Sequence, residues 1–295
     1  MFGREIIKHN LNRFHATMIK EYFIIFMLLS LVYESSAQSN SHTQVYSIDS
    51  INYARKKDIP TINKAIDYYI NGNYKAALET INKLPTNLYY NNPGSLYLAA
   101  NCHFNLKDYQ SAITCYSLTL ANDPNAIRVY FFRGLSLLEE KKYSGAAADF
   151  AAFLLHNLEH KDAQFNLTLS LCKDGQVTRG IQKFESFTPK DSTYYLDLCD
   201  FYYDYANDPD KALAVLEKGL LEFPAFIEGL LSASILCSDL HQDEKALQYV
   251  NKAIALKPAY GKAYYVRGLI YEELFLPTDA ETNFDRAREL GYEWE

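Results

Sequence analysis

The sequence is poor in features that would indicate a disulfide-rich or metal-binding protein. It has 5 cysteines in 295 residues, irregularly spaced and without a Cys-x-x-Cys pair, so neither a disulfide framework nor a zinc site is indicated. We therefore expect the cysteines to be small apolar core residues. A bridge between Cys102 and Cys115 is the alternative that an exported protein would permit.

Catalytic signatures are also missing. The chain contains no glycine-rich phosphate loop, no Gly-x-Ser-x-Gly and no His-Glu-x-x-His, the patterns that phosphate-binding, hydrolytic and zinc-dependent enzymes use. His156 and His160 are four residues apart, and we interpret them as a solvated pair rather than as metal ligands. The sequence predicts no enzyme, no cofactor and no metal site.

Clustered positive charge is absent as well. The 29 basic and 36 acidic side chains give a net charge of -7, and no run of Lys and Arg is interleaved with aromatic residues. Nucleic acid binding depends on such a basic stripe, because phosphate neutralisation supplies most of its affinity. Nucleic acid is therefore not an expected partner.

No apolar run near the N-terminus is long enough to span a membrane. Lys20 precedes the run Tyr22–Tyr33, of about 12 residues, where a spanning helix needs roughly 20. The small residues Ser35–Ala37 follow, so residues 1–37 are predicted to be a secretory signal peptide. We expect an exported protein, periplasmic or secreted, without stable membrane insertion after signal removal. A retained anchor is the alternative, and translation could start at Met1 or Met18.

What the sequence does contain is a repeat of about 34 residues, with the form Tyr-x-x-Ala-Leu/Ile. Ala77, Ala112 and Ala146 are 35 and 34 residues apart, and Ala212, Ala246 and Ala280 are 34 and 34 apart. Small side chains at fixed intervals allow two antiparallel helices to approach closely. One hairpin cannot bury its second face alone, so neighbouring hairpins must stack.

This pattern resembles the tetratricopeptide repeat (TPR) family. The resemblance implies an all-α fold, a right-handed solenoid of about seven antiparallel helical hairpins over residues 58–295, after a polar lead at 38–57. The units are expected to start near residues 58, 93, 127, 161, 193, 227 and 261. Gly180 and Asp200 depart from the family pattern, and we predict a change of superhelical curvature between residues 175 and 210.

In TPR proteins the first helix of each unit lines a concave groove. Carried onto this sequence, the resemblance implies an apolar groove containing Tyr97, Asn101, Phe131, Leu135, Phe165, Phe201, Tyr265 and Leu269. An acidic rim is implied at Asp197, Asp204, Glu228, Asp239, Glu272 and Glu273. Tight winding that buries this apolar row between neighbouring helices is the alternative interpretation.

The predicted function is a non-enzymatic interaction module that binds a protein or peptide of unknown identity in this groove. A structural subunit of an envelope or secretion assembly, making lateral contacts through an uncapped C-terminal face, is the alternative. Tyr292 and Trp294 lie after the last predicted helix. They are expected to fold over that face unless another chain covers it.

Overall fold

A computed structural model describes residues 58–294. Fifteen helices and no β-strand are found in this part of the chain, so the predicted all-helical solenoid is confirmed. The helices are α1 (Ile59–Ile70), α2 (Tyr74–Ile81), α3 (Thr86–Asn91), α4 (Pro93–Asn105), α5 (Tyr109–Asn122), α6 (Ile127–Glu139), α7 (Tyr143–Leu154), α8 (Lys161–Lys173), α9 (Val177–Glu185), α10 (Ser192–Asp200), α11 (Pro209–Glu222), α12 (Ile227–Asp239), α13 (Asp243–Leu256), α14 (Gly261–Glu273) and α15 (Pro277–Glu289).

The helices pair into seven hairpins, with the short α3 between the first two. The first helices of the hairpins are α1, α4, α6, α8, α10, α12 and α14, and each begins within one residue of a predicted unit start. Within the described residues, no helix is long and apolar enough to cross a membrane. The predicted signal peptide and polar lead lie outside the described residues.

Every hairpin turns through one residue with a left-handed backbone. These residues have φ between 52° and 83°, and they are Gly72, Lys107, Lys141, Gly175, Asn207, His241 and Phe275. An L-residue with a side chain incurs a steric cost in this region, whereas glycine does not. Four of the seven positions carry Lys, His or Phe. The left-handed turn therefore forms even where glycine is absent.

The chain divides into two compact units, one ending at Pro189 and the other resuming at Lys190. We call their described parts the N-terminal unit (58–189) and the C-terminal unit (190–294). Within each unit, neighbouring first helices pack against one another more extensively than neighbouring second helices do. The first helices therefore lie on the inside of the curvature of each unit. The boundary falls in the irregular stretch, and the predicted curvature change there stays a prediction.

The fifth hairpin differs from its neighbours by one inserted residue. Its N-cap Asp191 precedes the small residue Ala212 by 21 positions, whereas Tyr260 precedes Ala280 by 20. Helix α10 absorbs the extra residue by continuing as a π-helix over Phe201–Tyr205. A π-turn is how a helix accommodates a single insertion without losing its axis, and such turns are frequent at functional sites.

All five cysteines are buried and unpaired. Burial raises the pKa of the Cys102 thiol to about 12 and that of Cys172 to about 11, so neither is a reactive thiolate near neutral pH. Cys115 contacts the Tyr89 hydroxyl at 3.9 Å instead of pairing with Cys102. The interpretation of the cysteines as small core residues is confirmed.

Candidate protein-binding surfaces

The predicted groove residues of the N-terminal unit lie on its first helices. Tyr97, Phe131, Leu135 and Phe165 are half-buried, on α4, α6 and α8. The Phe131 ring packs against Phe153 and His160, with ring centroids 5.1 and 5.0 Å apart. These side chains thus belong partly to the packing between hairpins and partly to the surface of the first helices.

Asn101 is placed differently from these residues. It is 7% exposed, and its side-chain oxygen accepts a hydrogen bond of 2.7 Å from the Tyr116 hydroxyl inside the second hairpin. Burial raises the pKa of Tyr97, which packs beside Tyr116 with ring centroids 6.2 Å apart. In this structure Asn101 joins the two helices of its own hairpin.

The interpretation of His156 and His160 as a solvated pair is wrong for His160, which is half-buried as the N-cap of α8. Its Nδ1 accepts a hydrogen bond from the Ala163 amide at 3.3 Å, and burial lowers its pKa. A neutral imidazole suits this acceptor role, since a protonated ring has no lone pair to offer. Among residues 58–294, no group of three or more His, Cys, Asp or Glu side chains could hold a metal ion.

In the C-terminal unit, Tyr265 and Leu269 are half-buried on α14, whereas Phe201 is only 1% exposed. Tyr265 packs against Trp294 and Tyr292, with ring centroids 4.6 and 5.4 Å apart. The Tyr292 side chain also lies 2.7 Å from the place that a Cβ on Gly261 would occupy. Tyr292 and Trp294 therefore fold onto the last hairpin.

The predicted acidic rim is not uniform. Glu228 accepts hydrogen bonds from the Tyr260 hydroxyl and, at 2.8 Å, from Lys262. Asp239 accepts one from the Tyr203 hydroxyl at 2.8 Å. Glu272 and Glu273 are exposed at the end of α14. Two of the predicted rim carboxylates are thus tied to neighbouring hairpins.

Asp197 and Asp204 lie close to a third carboxylate, Asp200, along α10 and its π-helical continuation. Burial, reinforced by the negative charges of Asp197 and Asp204, raises the pKa of Asp200 well above its ordinary value. Asp200 was not among the predicted site residues, although its spacing from the other two is readable in the sequence. The three carboxylates therefore lie together on the first helix of the fifth hairpin and its continuation.

Tyrosine hydroxyls that donate to glutamates recur between helices of the C-terminal unit. Tyr249 on α13 donates to Glu217 on α11 at 2.9 Å, and Tyr195 on α10 donates to Glu222 on α11 at 2.6 Å. Burial and the bonded carboxylate raise the pKa of Tyr195 to about 12. Part of the high tyrosine content therefore serves packing between helices.

Part of the chain matches a known protein family. The model of a family described as anaphase-promoting complex, cyclosome, subunit 3 matches residues 63–119. The chain is also 21% identical, over 275 residues, to anaphase-promoting complex subunit 3 of Schizosaccharomyces pombe. That alignment covers 91% of this chain and 41% of the relative. The chain thus spans less than half the length of the curated relative that it matches.

Two solved structures have a similar fold. One is a tetratricopeptide repeat protein from Parabacteroides merdae, with a TM-score of 0.54, 18% identity, and coverage of 81% of this chain and 95% of that one. The other is the C-terminal part of a TPR repeat-containing protein from Cytophaga hutchinsonii, with a TM-score of 0.59, 22% identity, and coverage of 78% and 95%. The chain therefore has the fold of tetratricopeptide-type helical repeats, an architecture typical of protein–protein interaction modules.

Proposed function

We propose that this protein is a non-catalytic binding module that holds an apolar segment of a partner protein against its first helices. The observation that supports the proposal is that Tyr97, Phe131, Leu135 and Phe165 are half-buried on the first helices α4, α6 and α8 of the N-terminal unit. Aromatic side chains that are partly exposed and held by packing lose little entropy on binding, which makes them effective anchors.

The carboxylates of α10 support a second element of the proposal, a preference for basic groups in the partner. Burial, together with the nearby charges of Asp197 and Asp204, raises the pKa of Asp200. A cation placed beside the three carboxylates would relieve their mutual repulsion and lower that pKa. Electrostatic complementarity of this kind raises association rates and selects partners more than it adds affinity.

Partners captured from the native envelope fraction and identified by mass spectrometry provide the ligand for the test. The triple variant Tyr97→Ala, Phe131→Ala, Phe165→Ala should weaken binding by at least about tenfold, since each large anchor typically contributes about 1 kcal/mol or more. A matched control replaces three exposed leucines with Ala: Leu155, Leu158 and Leu221. Equal binding by both triple variants, with helical content unchanged by circular dichroism, would refute the proposal.

The acidic part has a separate test. Asp197→Asn, Asp200→Asn and Asp204→Asn together should slow association with a captured partner and reduce the salt dependence of binding. The control neutralises three exposed carboxylates elsewhere, Asp210, Glu244 and Glu281. If the salt dependence is unchanged in the α10 variant, the partner does not use these carboxylates.

We further propose that the protein is exported, on the basis of the signal-like segment at residues 1–37. Expression of the full chain with a C-terminal tag, followed by N-terminal sequencing, tests this. Cleavage after Ala37 would give a mature chain that begins at Gln38. An intact N-terminus in the cytoplasmic fraction would contradict export.

A further inference from the structure

An open groove lies on the outer side of the N-terminal unit, between the second helices α7 and α9. It has a volume of about 560 Å³. We call it the outer groove, and its walls and floor are formed by Ala148 and Ala151 of α7, Leu167 and Leu171 of α8, and Arg179 and Lys183 of α9. Its lining includes two cations and no carboxylate, in a protein whose net charge is -7.

The sequence explains why the groove is open. Helix α7 presents only small side chains toward it, Ser144 and alanines, and α9 is short, with 9 residues against the 12 of α7. Gly180 also brings α9 close to α8, since a Cβ there would be 3.0 Å from the Cys172 sulfur and 3.1 Å from the Thr168 carbonyl oxygen. The gap between the second helices is therefore not filled by side chains of their own.

The same repeat positions are filled in the C-terminal unit. Ala146 and Gly180 correspond to Ala212 and Ala246, so Ala151 and Lys183 correspond to Glu217 and Tyr249. There the Tyr249 hydroxyl donates to Glu217 at 2.9 Å and joins α13 to α11. A small residue on α7 and a cation on α9 stand in place of that hydrogen-bonded pair.

A second unusual surface lies at the turn of the seventh hairpin. Phe275 is 90% exposed and Leu276 is 43% exposed. Phe275 also has a left-handed backbone, with φ of 57°, which is rare and costly for an aromatic residue. An exposed aromatic side chain held in such a conformation contributes little to the stability of the isolated chain. We call Leu274–Pro277 the apolar tip.

The apolar tip has acidic flanks. Glu272 and Glu273 precede it, Asp279 follows it, and all three are exposed. Residues 271–281 contain no Lys or Arg. The tip is therefore an apolar projection with negative flanks. The outer groove has alanine and leucine side chains from α7 and α8, and polar and positively charged side chains from α9 and the residue before it.

We propose that the apolar tip of one copy of this protein docks in the outer groove of a second copy. Phe275 would lie against Ala148, Ala151 and Leu167, and the glutamates beside it would face the cations of α9. This contact uses neither the predicted inner row of aromatic residues nor the α10 carboxylates. The experiments below therefore test it independently of the proposed function.

The contact is heterologous, because it joins two different surfaces. The copy that supplies the tip keeps a free groove and the copy that supplies the groove keeps a free tip, so association continues head to tail into rings or open chains rather than stopping at a dimer. A projection of about four residues buries little area, and small interfaces are weak and transient. We therefore expect a dissociation constant of about 10 μM to 1 mM, with weaker association at high salt.

Sedimentation velocity of the purified protein between about 5 μM and 1 mM tests for this association. The weight-average sedimentation coefficient should rise with protein concentration, and the rise should shrink at high salt. Phe275→Ser and the double variant Arg179→Glu, Lys183→Glu should each abolish the rise. A wild-type protein that stays monomeric over the whole range overturns the proposal.

Mixing the two variants gives the sharper test. Phe275→Ser retains an intact groove, and the groove double variant retains an intact tip, so the mixture can form one contact per pair of molecules. It should sediment as a 1:1 heterodimer and no larger species, although each variant alone is monomeric. A mixture that stays monomeric, or one that forms larger oligomers, overturns the head-to-tail contact.

Matched controls separate this contact from general effects of charge or hydrophobicity. Leu158→Ser removes another exposed apolar side chain, and Lys83→Glu with Lys218→Glu reverses two cations outside the groove. Both controls should associate as the wild type does. Loss of association in either control would show that the effect is not specific to the tip and the groove.

Discussion

The third and seventh hairpins are built alike, with corresponding residues 134 positions apart. Arg133 and Arg267 occupy the same place in α6 and α14, and each reaches both its own second helix and that of the preceding hairpin. The glycines that follow them, Gly134 and Gly268, allow an aromatic ring of the second helix to approach the first helix. The third hairpin belongs to the N-terminal unit and the seventh to the C-terminal unit.

The two hairpins differ in the chemistry of the arginine partner. Arg133 forms a two-point ion pair with the buried Asp149, with both nitrogen to oxygen distances 2.7 Å. Arg267 instead donates to the neutral side chains of Asn283 and Asn251, both at 2.7 Å. The same geometry is therefore maintained with a charged and with a neutral acceptor. We expect the two hairpins to lose different amounts of unfolding free energy when the arginine is replaced.

Arg133→Met should have the largest effect. It leaves the Asp149 carboxylate buried without its partner, which costs about 3–5 kcal/mol of unfolding free energy. Arg267→Met leaves only neutral amides without a partner, so we expect a loss of about 1–2 kcal/mol. Urea unfolding followed by circular dichroism, with hydrogen exchange to locate the loss, measures both.

A second substitution checks that the buried charge is the cause. Asp149→Leu in the Arg133→Met background removes the unpaired carboxylate and should recover most of the lost stability. Equal losses for the two single arginine variants would show that the ion pair adds nothing beyond hydrogen bonding.

The glycines should give the next largest difference. A Cβ at position 268 would lie 2.5 Å from the Phe284 ring, whereas one at position 134 would lie 3.0 Å from the Phe150 ring. Gly268→Ala therefore requires the larger displacement of a packed ring and should cost about 2–3 kcal/mol, against about 1 kcal/mol for Gly134→Ala. Unfolding midpoints in urea compare the two, and the reverse order would indicate that the Phe284 ring moves freely.

Asp200 lies in the fifth hairpin, one residue after the helix position at which those two hairpins have glycine. Its folded-state pKa is raised by burial and by Asp197 and Asp204, so the folded state holds its proton to higher pH than the unfolded state does. Stability should therefore fall as pH rises from the ordinary aspartate value of 3.8 through this raised pKa. Asp200→Asn should remove that fall and stabilise the protein at neutral pH by about 1 kcal/mol.

Thermal unfolding of wild type and Asp200→Asn at several pH values measures this. Asp210→Asn, at an exposed aspartate on α11, is the control and should leave the profile unchanged. A difference between wild type and Asp200→Asn that does not change across the same pH range would contradict the assignment.

The smallest effects are expected at the turns. Lys141 in the third hairpin and Phe275 in the seventh have φ of 58° and 57°. Lys141→Gly and Phe275→Gly relieve the left-handed strain but increase the entropy of the unfolded chain, so each should stabilise by only about 0.5 kcal/mol. Thermal unfolding at low protein concentration tests this, and a loss of stability at either site would mean that a contact of the native side chain outweighs the strain.

Much of this fold could be predicted because the residues that indicate each helix contact recur in several repeats. Ala246 and Ala280 occupy the same position in successive units and both predict a close approach of two helices. A wrong assignment in one unit is therefore corrected by the other units. The candidate site was less predictable, since position in the repeat says which helix carries a residue but not where its side chain points. Asn101 occupies a groove position in the sequence pattern and yet bonds to Tyr116 inside its hairpin.

The sequence by itself determined the number of hairpins and the places where the repeat is irregular, because these depend on periodicity and on local helix signals. Only the tertiary structure decided which polar groups are already engaged, as Glu228 and Asp239 are, and how α10 absorbs its inserted residue as a π-helix. It also decided that α9 lies close to α8 and leaves the outer groove open. These outcomes depend on which side chains contact one another between hairpins, and such contacts cannot be inferred from the sequence of a single repeat.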